Sequence, residues 1–172
     1  MSSAFAKPAG VIRTLLICIS CLIVFGQEAF AETTTRTMMH DGKQRTYVLT
    51  APDAAGAGTL PLVIALHFYP GSGGAMADLT GFSGIAEREG FLVAYPDGLN
   101  GGFNALMCCG AEDDVGFIRA MIEDIGKSHA VDADRIYATG ISNRGDLAYR
   151  VAAGLPGVLA GSTPGSGGMR DE

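Results

Sequence analysis

Lysine and arginine are scarce in this sequence, 12 against 18 aspartates and glutamates in 172 residues, and they cluster nowhere. That excludes the basic stripe by which a protein holds nucleic acid. Cysteine is scarcer still, with Cys18, Cys21, Cys108 and Cys109 the only four. Two vicinal thiols without a neighbouring histidine do not make a metal site. Histidine is the third scarcity: His40, His67 and His129 are the whole supply. Internal repeats and low-complexity segments are also absent, so the chain reads as one soluble globular domain.

The amino terminus is of a different kind. Lys7 and Arg13 form a positive region, Leu15 to Gly26 is almost wholly apolar, and Ala29-Phe30-Ala31 satisfies the small-residue rule for cleavage. This pattern predicts a secretory signal peptide over residues 1–31. The apolar stretch of 12 residues is shorter than the roughly 20 a spanning helix needs, so no stable membrane anchor is expected after cleavage. The mature chain would run from Glu32 to Glu172, with 10 basic and 17 acidic residues and a net charge of −7. Export to an extracellular or periplasmic compartment permits a disulfide. Cys108 and Cys109 rarely suit each other as neighbours, because the ring they close strains the intervening peptide. A partner for either one is missing from this sequence.

Four strands are legible in the mature chain. Arg45 to Thr50 has period-two character and stops at Pro52. Leu60 to His67 and Phe91 to Tyr95 are continuous apolar runs, the pattern of strands buried on both faces of a parallel sheet. Arg135 to Thr139 is the fourth. Between them the periodicity predicts one helix from about Met76 to Arg88, with Leu79, Phe82, Ile85 and Ala86 on its inner side. A second begins at Asp113 or Asp114, either of which can cap it, and buries Ile118, Met121, Ile122 and Ile125. A third runs from about Asn143 to Ala153. Strands alternating with helices call for right-handed crossovers and a doubly wound, mostly parallel sheet with flanking helices.

The fourth strand runs directly into Gly140-Ile141-Ser142-Asn143-Arg144-Gly145. A strand that turns sharply through G-x-S-x into a helix is how an α/β-hydrolase exposes its nucleophilic serine. Ser142 is therefore the candidate nucleophile. Arg144 stands where the motif has glycine, and a long cation there must either strain the turn or swing into solvent. No histidine follows Ser142, and a serine without a base is a weak nucleophile.

Several segments, in this order and at this spacing, carry a resemblance. They are Pro61 to His67, Leu79-Thr80-Gly81-Phe82, Glu89 to Gly98, Cys108-Cys109-Gly110, Asp113 to Phe117, and Tyr137 to Asn143. The stretch from Leu60 to about Ala153 resembles secreted polyhydroxybutyrate-depolymerase-like esterases, a group that includes feruloyl and acetyl-xylan esterases. The resemblance implies an extracellular serine esterase of the α/β-hydrolase fold, needing no cofactor and acting on an ester substrate of which some are polymeric. It implies that residues 32–172 form the amino-terminal part of the catalytic domain, an incomplete α/β-hydrolase truncated after the nucleophile.

It also assigns roles. In this fold one oxyanion donor is the N–H of the residue after the serine, here Asn143, and the other comes from the loop after His67. The corresponding residue is Phe68, whose ring crowds the pocket mouth where relatives have glycine. Pro70 offers no N–H at all. His67 is expected to support this loop rather than act as base. His40 and His129 are poorly positioned for that duty. Asp146 lies in the first turn of the last helix, where a carboxylate complements the helix dipole, and neither it nor Asp171 is assigned as the triad acid.

After Val158 the sequence runs Ala160-Gly161-Ser162-Thr163-Pro164-Gly165-Ser166-Gly167-Gly168. Glycine and proline weaken a central strand, so the sheet is expected to end at the strand before Ser142, with its edge uncovered. Two function classes follow. One is a serine carboxylic-ester hydrolase acting through Ser142. The other is a catalytically dead remnant, or a binding protein that keeps the front half of the fold.

Overall fold

The structure is a computed structural model that describes residues 31–53, 58–105, 111–141 and 145–165. The predicted signal segment up to residue 30, Cys108 and Cys109, and the motif residues Ser142, Asn143 and Arg144 lie outside the described residues.

The chain forms β1 (Glu32–His40), β2 (Lys43–Ala51), β3 (Leu60–Leu66), α1 (Gly73–Thr80), α2 (Phe82–Glu89), β4 (Leu92–Pro96), α3 (Asp114–Gly126), β5 (Val131–Gly140), α4 (Gly145–Gly154) and β6 (Gly161–Pro164). Among the described residues the strands make a six-stranded sheet in the order β1-β2-β4-β3-β5-β6. The hairpin β1–β2 is antiparallel and β2 joins β4 antiparallel, while β4, β3, β5 and β6 run parallel. Helices cover both faces. Phe117, Ile118, Met121 and Ile125 from α3 and Leu147, Ala148 and Val151 from α4 pack with Leu62, Ile64 and Leu66 on one side. Met76 from α1 and Ala86 from α2 pack with Ala65, Val93 and Tyr95 on the other. This is the doubly wound arrangement that the alternation of elements predicts.

Three expectations are corrected. The sheet does not end at β5: β6 pairs with it in parallel, matching Tyr137 with Gly161 and Gly140 with Pro164. Outer strands need backbone partners more than side-chain bulk, and here Ala160 N–H donates to Ile136 O at 2.7 Å while Thr139 Oγ1 donates to Thr163 O at 2.9 Å. At the opposite edge, β1 was not expected at all. Its turn is Asp41-Gly42, with φ of 50° and 71°, the pair of positive values that a two-residue hairpin of type I′ requires.

The helix expected from Met76 to Arg88 is two helices. Gly81, at φ 61°, ends α1 by donating its N–H to Ala77 O and begins α2. The break turns Leu79 out to solvent, 59% exposed, and leaves Met76 as the buried anchor. Asp113, not Asp114, caps α3, its carboxylate accepting from Gly116 N–H at 2.9 Å. Asp114 points into the protein instead and meets Arg45. Among the described residues no helix is long and apolar enough to cross a membrane.

Candidate active site

Three strand ends converge at the carboxyl edge of the parallel strands, where open α/β sheets bind their ligands. β3 and β5 stop side by side, with Leu66 paired to Gly140. β4, on the other side of β3, stops at Pro96 and passes into Asp97-Gly98. From Gly140 the chain reaches the first residue of α4, Gly145, in four residues. A connection of this length matches the strand-to-helix spacing of the nucleophile motif. Gly140 is buried and Ile141 packs against the α1–α2 side of the core. Ser142 and Asn143 fall in the interval between.

The loop after β3 is built on its histidine. His67 is fully buried, and its ring lies 4.6 Å from that of Phe103. Nδ1 bonds the carbonyl of Phe68 at 2.7 Å, and Nε2 accepts the N–H of Gly98 at 3.0 Å. These partners specify the tautomer with the proton on Nδ1. Both ring nitrogens are thus committed to backbone. Phe68 is half-buried, Tyr69 is 52% exposed, and the Tyr69–Pro70 peptide is cis.

Beyond Pro70 the loop is held to the end of β4. Gly71 N–H donates to Gly101 O at 3.1 Å, and Gly73 N–H donates to Asp97 Oδ1 at 2.7 Å. Asp97 Oδ2 accepts from Thr46 Oγ1 at 2.7 Å. The approach is close: a Cβ on Gly73 would stand 2.2 Å from the carbonyl oxygen of Tyr95. Asp97, Arg45 and Asp114 are the residues of this region that sequence reasoning missed. Their partners lie 10 to 69 positions away, and no local pattern announces them.

The other two histidines stand elsewhere. His40 ends β1, four strands from β5 in the sheet order, or about 19 Å at the usual strand spacing. Its Nε2 lies 3.3 Å from Asp113 Oδ2. His129 precedes the first residue of β5, at the end of the sheet opposite the serine turn. Burial, and then the nearby Arg36 cation, lower its pKa below the ordinary value. Neither lies near the carboxyl end of β5 at Gly140. Among the described residues no cluster of three or more His, Cys, Asp or Glu suits a metal ion.

The sheet order, with β5 followed closely by α4, is that of the α/β-hydrolase fold, and the sequence is similar to proteins named as esterases. NocK of Nocardia uniformis subsp. tsuyamanensis, an inferred esterase, is 34% identical over 140 residues, covering 77% of this chain and 41% of that protein. Feruloyl esterase B of Piromyces equi is 33% identical over 108 residues, 60% of this chain and 20% of its own. Poly(3-hydroxyalkanoate) depolymerase C of Paucimonas lemoignei is 29% identical over 117 residues, 63% of this chain and 28% of its own. Among solved structures, acetyl xylan esterase from Aspergillus awamori superposes with a TM-score of 0.63 at 20% identity, over 78% of this chain and 52% of that one. The chain spans less than half the length of each of these three curated relatives. No protein-family model matches it.

Proposed function

We propose that this chain belongs to an exported serine carboxylic-ester hydrolase, with Ser142 as the nucleophile that forms the acyl-enzyme. The observation that carries this reading is the pairing of Leu66 with Gly140. It sets the start of the loop after β3 beside the end of β5, which supports a reading in which the N–H groups of Phe68 and Asn143 serve as the oxyanion donors. Attack by the Ser142 hydroxyl on an ester carbonyl gives an oxyanion, and each preorganised donor is worth about 10²–10³ in rate. Collapse of that intermediate expels the alcohol and leaves the acyl group on Ser142. Water then releases the acid. The substrate is an ester, of a polyester, a hydroxycinnamate or an acetylated sugar.

The proton from Ser142 needs an acceptor. His67 has both nitrogens engaged, His40 is four strands away, and His129 is at the opposite end. The esterase reading therefore takes its base from chain beyond this sequence or from a second copy. The positions of these histidines favour, as a second reading, a binding protein that keeps the fold without turnover. Labelling with a fluorophosphonate and hydrolysis of a short-chain nitrophenyl ester separate the two. Labelling and turnover abolished by Ser142→Ala are expected for the esterase. An unlabelled, folded protein that still binds an ester-bearing polymer overturns it.

A further inference from the structure

We propose that the buried pair Arg45–Asp114 is a positioning device: it staples both ends of the 97–104 loop and through that loop fixes the segment carrying the Phe68 N–H. The inference rests on the esterase reading only for its consequence in catalysis.

Arg45 and Asp114 are each 2% exposed, and Arg45 Nη2 donates to Asp114 Oδ1 at 2.6 Å. The same Nη2 donates to the carbonyl of Asp97 at 3.1 Å, which fixes one end of the loop. Asp114 Oδ2 accepts the N–H of Asn104, which fixes the other. Between these two pins lie the three contacts on which the oxyanion loop rests. Gly98 N–H reaches His67 Nε2, Gly101 O receives Gly71 N–H, and the Phe103 ring lies tilted against that of His67. The helix after the serine hangs from the same place, since Arg150 on α4 donates to the carbonyl of Asn104. Both halves of the site thus refer to one loop, and the loop refers to one ion pair.

The energetics favour this reading over simple stabilisation. Taking both charges from water costs several kcal/mol per ion, and well-packed apolar residues of similar volume often serve stability as well or better. The Phe117 ring, 3.9 Å from the guanidinium, returns part of that cost. Yet Arg45 Nε is buried with no hydrogen-bond partner among the described residues. A pair that is not optimised for stability, and whose remaining bonds all go to backbone of one loop, is better explained by what it orients.

The test compares the wild type with the double variant Arg45→Met/Asp114→Leu and with Arg45→Lys. Lysine keeps the charge but cannot hold Asp114 and the Asp97 carbonyl in the same geometry. The readouts are the ring-nitrogen NMR signals of His67, the hydrogen exchange of the Gly71 and Gly98 amides, and the rate of fluorophosphonate labelling at Ser142. The double variant is expected to keep its melting temperature within a few degrees while losing the protected His67 Nδ1 proton. In either variant the two loop amides should exchange about tenfold faster or more, with the β3 amides unchanged. Labelling should slow in its maximal rate rather than in reagent affinity. If the double variant does not fold, Arg45→Lys decides alone. Unchanged His67 signals and unchanged loop exchange overturn the proposal. A wild type that is never labelled overturns the esterase reading instead, and leaves the His67 and exchange measurements to judge the staple.

Discussion

The phenol of Tyr47 donates to Asp124 Oδ2 at 2.7 Å, tying β2 to the last turns of α3. Burial, followed by this bond to a carboxylate, pushes the Tyr47 hydroxyl up to about 12 from its ordinary 10. The unfolded chain ionises first, so the stability this group contributes is full below pH 10 and is lost as pH rises from 10 towards 12. Denaturant midpoints measured across that window should fall in the wild type. Tyr47→Phe should start lower, by about 1–2 kcal/mol, and lose less over the same range. Parallel curves for the two proteins would show that the phenol keeps its ordinary titration.

Gly73 and Gly42 make a matched pair of tests. The Cβ of alanine at 73 would meet Tyr95 O at 2.2 Å, so the loop must retreat and release Asp97. Overpacking of this kind costs about 1–3 kcal/mol. Melting temperature should drop, and exchange of the amides at 71 and 98 should quicken with it.

At Gly42 nothing stands within 4 Å of an added Cβ, and the cost of alanine comes only from φ +71°. A left-handed alanine loses about 1–2 kcal/mol. Gly42→Ala should therefore lower stability by that amount and leave the exchange of the Gly71 and Gly98 amides untouched. Asparagine at 42, which tolerates this backbone region, should recover most of the loss.

Of the four inner strands, β3 and β4 were legible because burial on both faces writes itself as apolar runs, as in Leu62 to Leu66 and Leu92 to Tyr95, and β2 because its alternation has period two. The outer two were not. β1 is Glu-Thr-Thr-Thr-Arg-Thr-Met-Met-His, with only Thr34, Arg36, Met38 and His40 partly sheltered, and it shows no apolar alternation. Its one signal was the Asp41-Gly42 turn, which the sequence displays plainly. β6 needed no bulk, because its outer position asks for backbone pairing and little else. Gly81 was also readable as a helix stop. A helical period that continues across it hides that signal. The proposal of Ser142 as nucleophile was legible from local spacing alone. The support of its neighbouring loop was not, since Arg45 meets Asp114 across 69 positions, and only a folded chain brings them together.

The place of β3 between β4 and β5 sets an order of events while the chain is being made. β4 follows β3 closely, so one edge of β3 gains its partner early. The other edge waits for β5, and Gly140 leaves the ribosome 74 residues after Leu66. At about 5–20 residues per second that interval is roughly 4–15 s. Throughout it Leu62, Ile64 and Leu66 have an open backbone edge at the centre of the future sheet. Whatever guards nascent chains against pairing with one another has its work to do on that strand, before the serine turn exists.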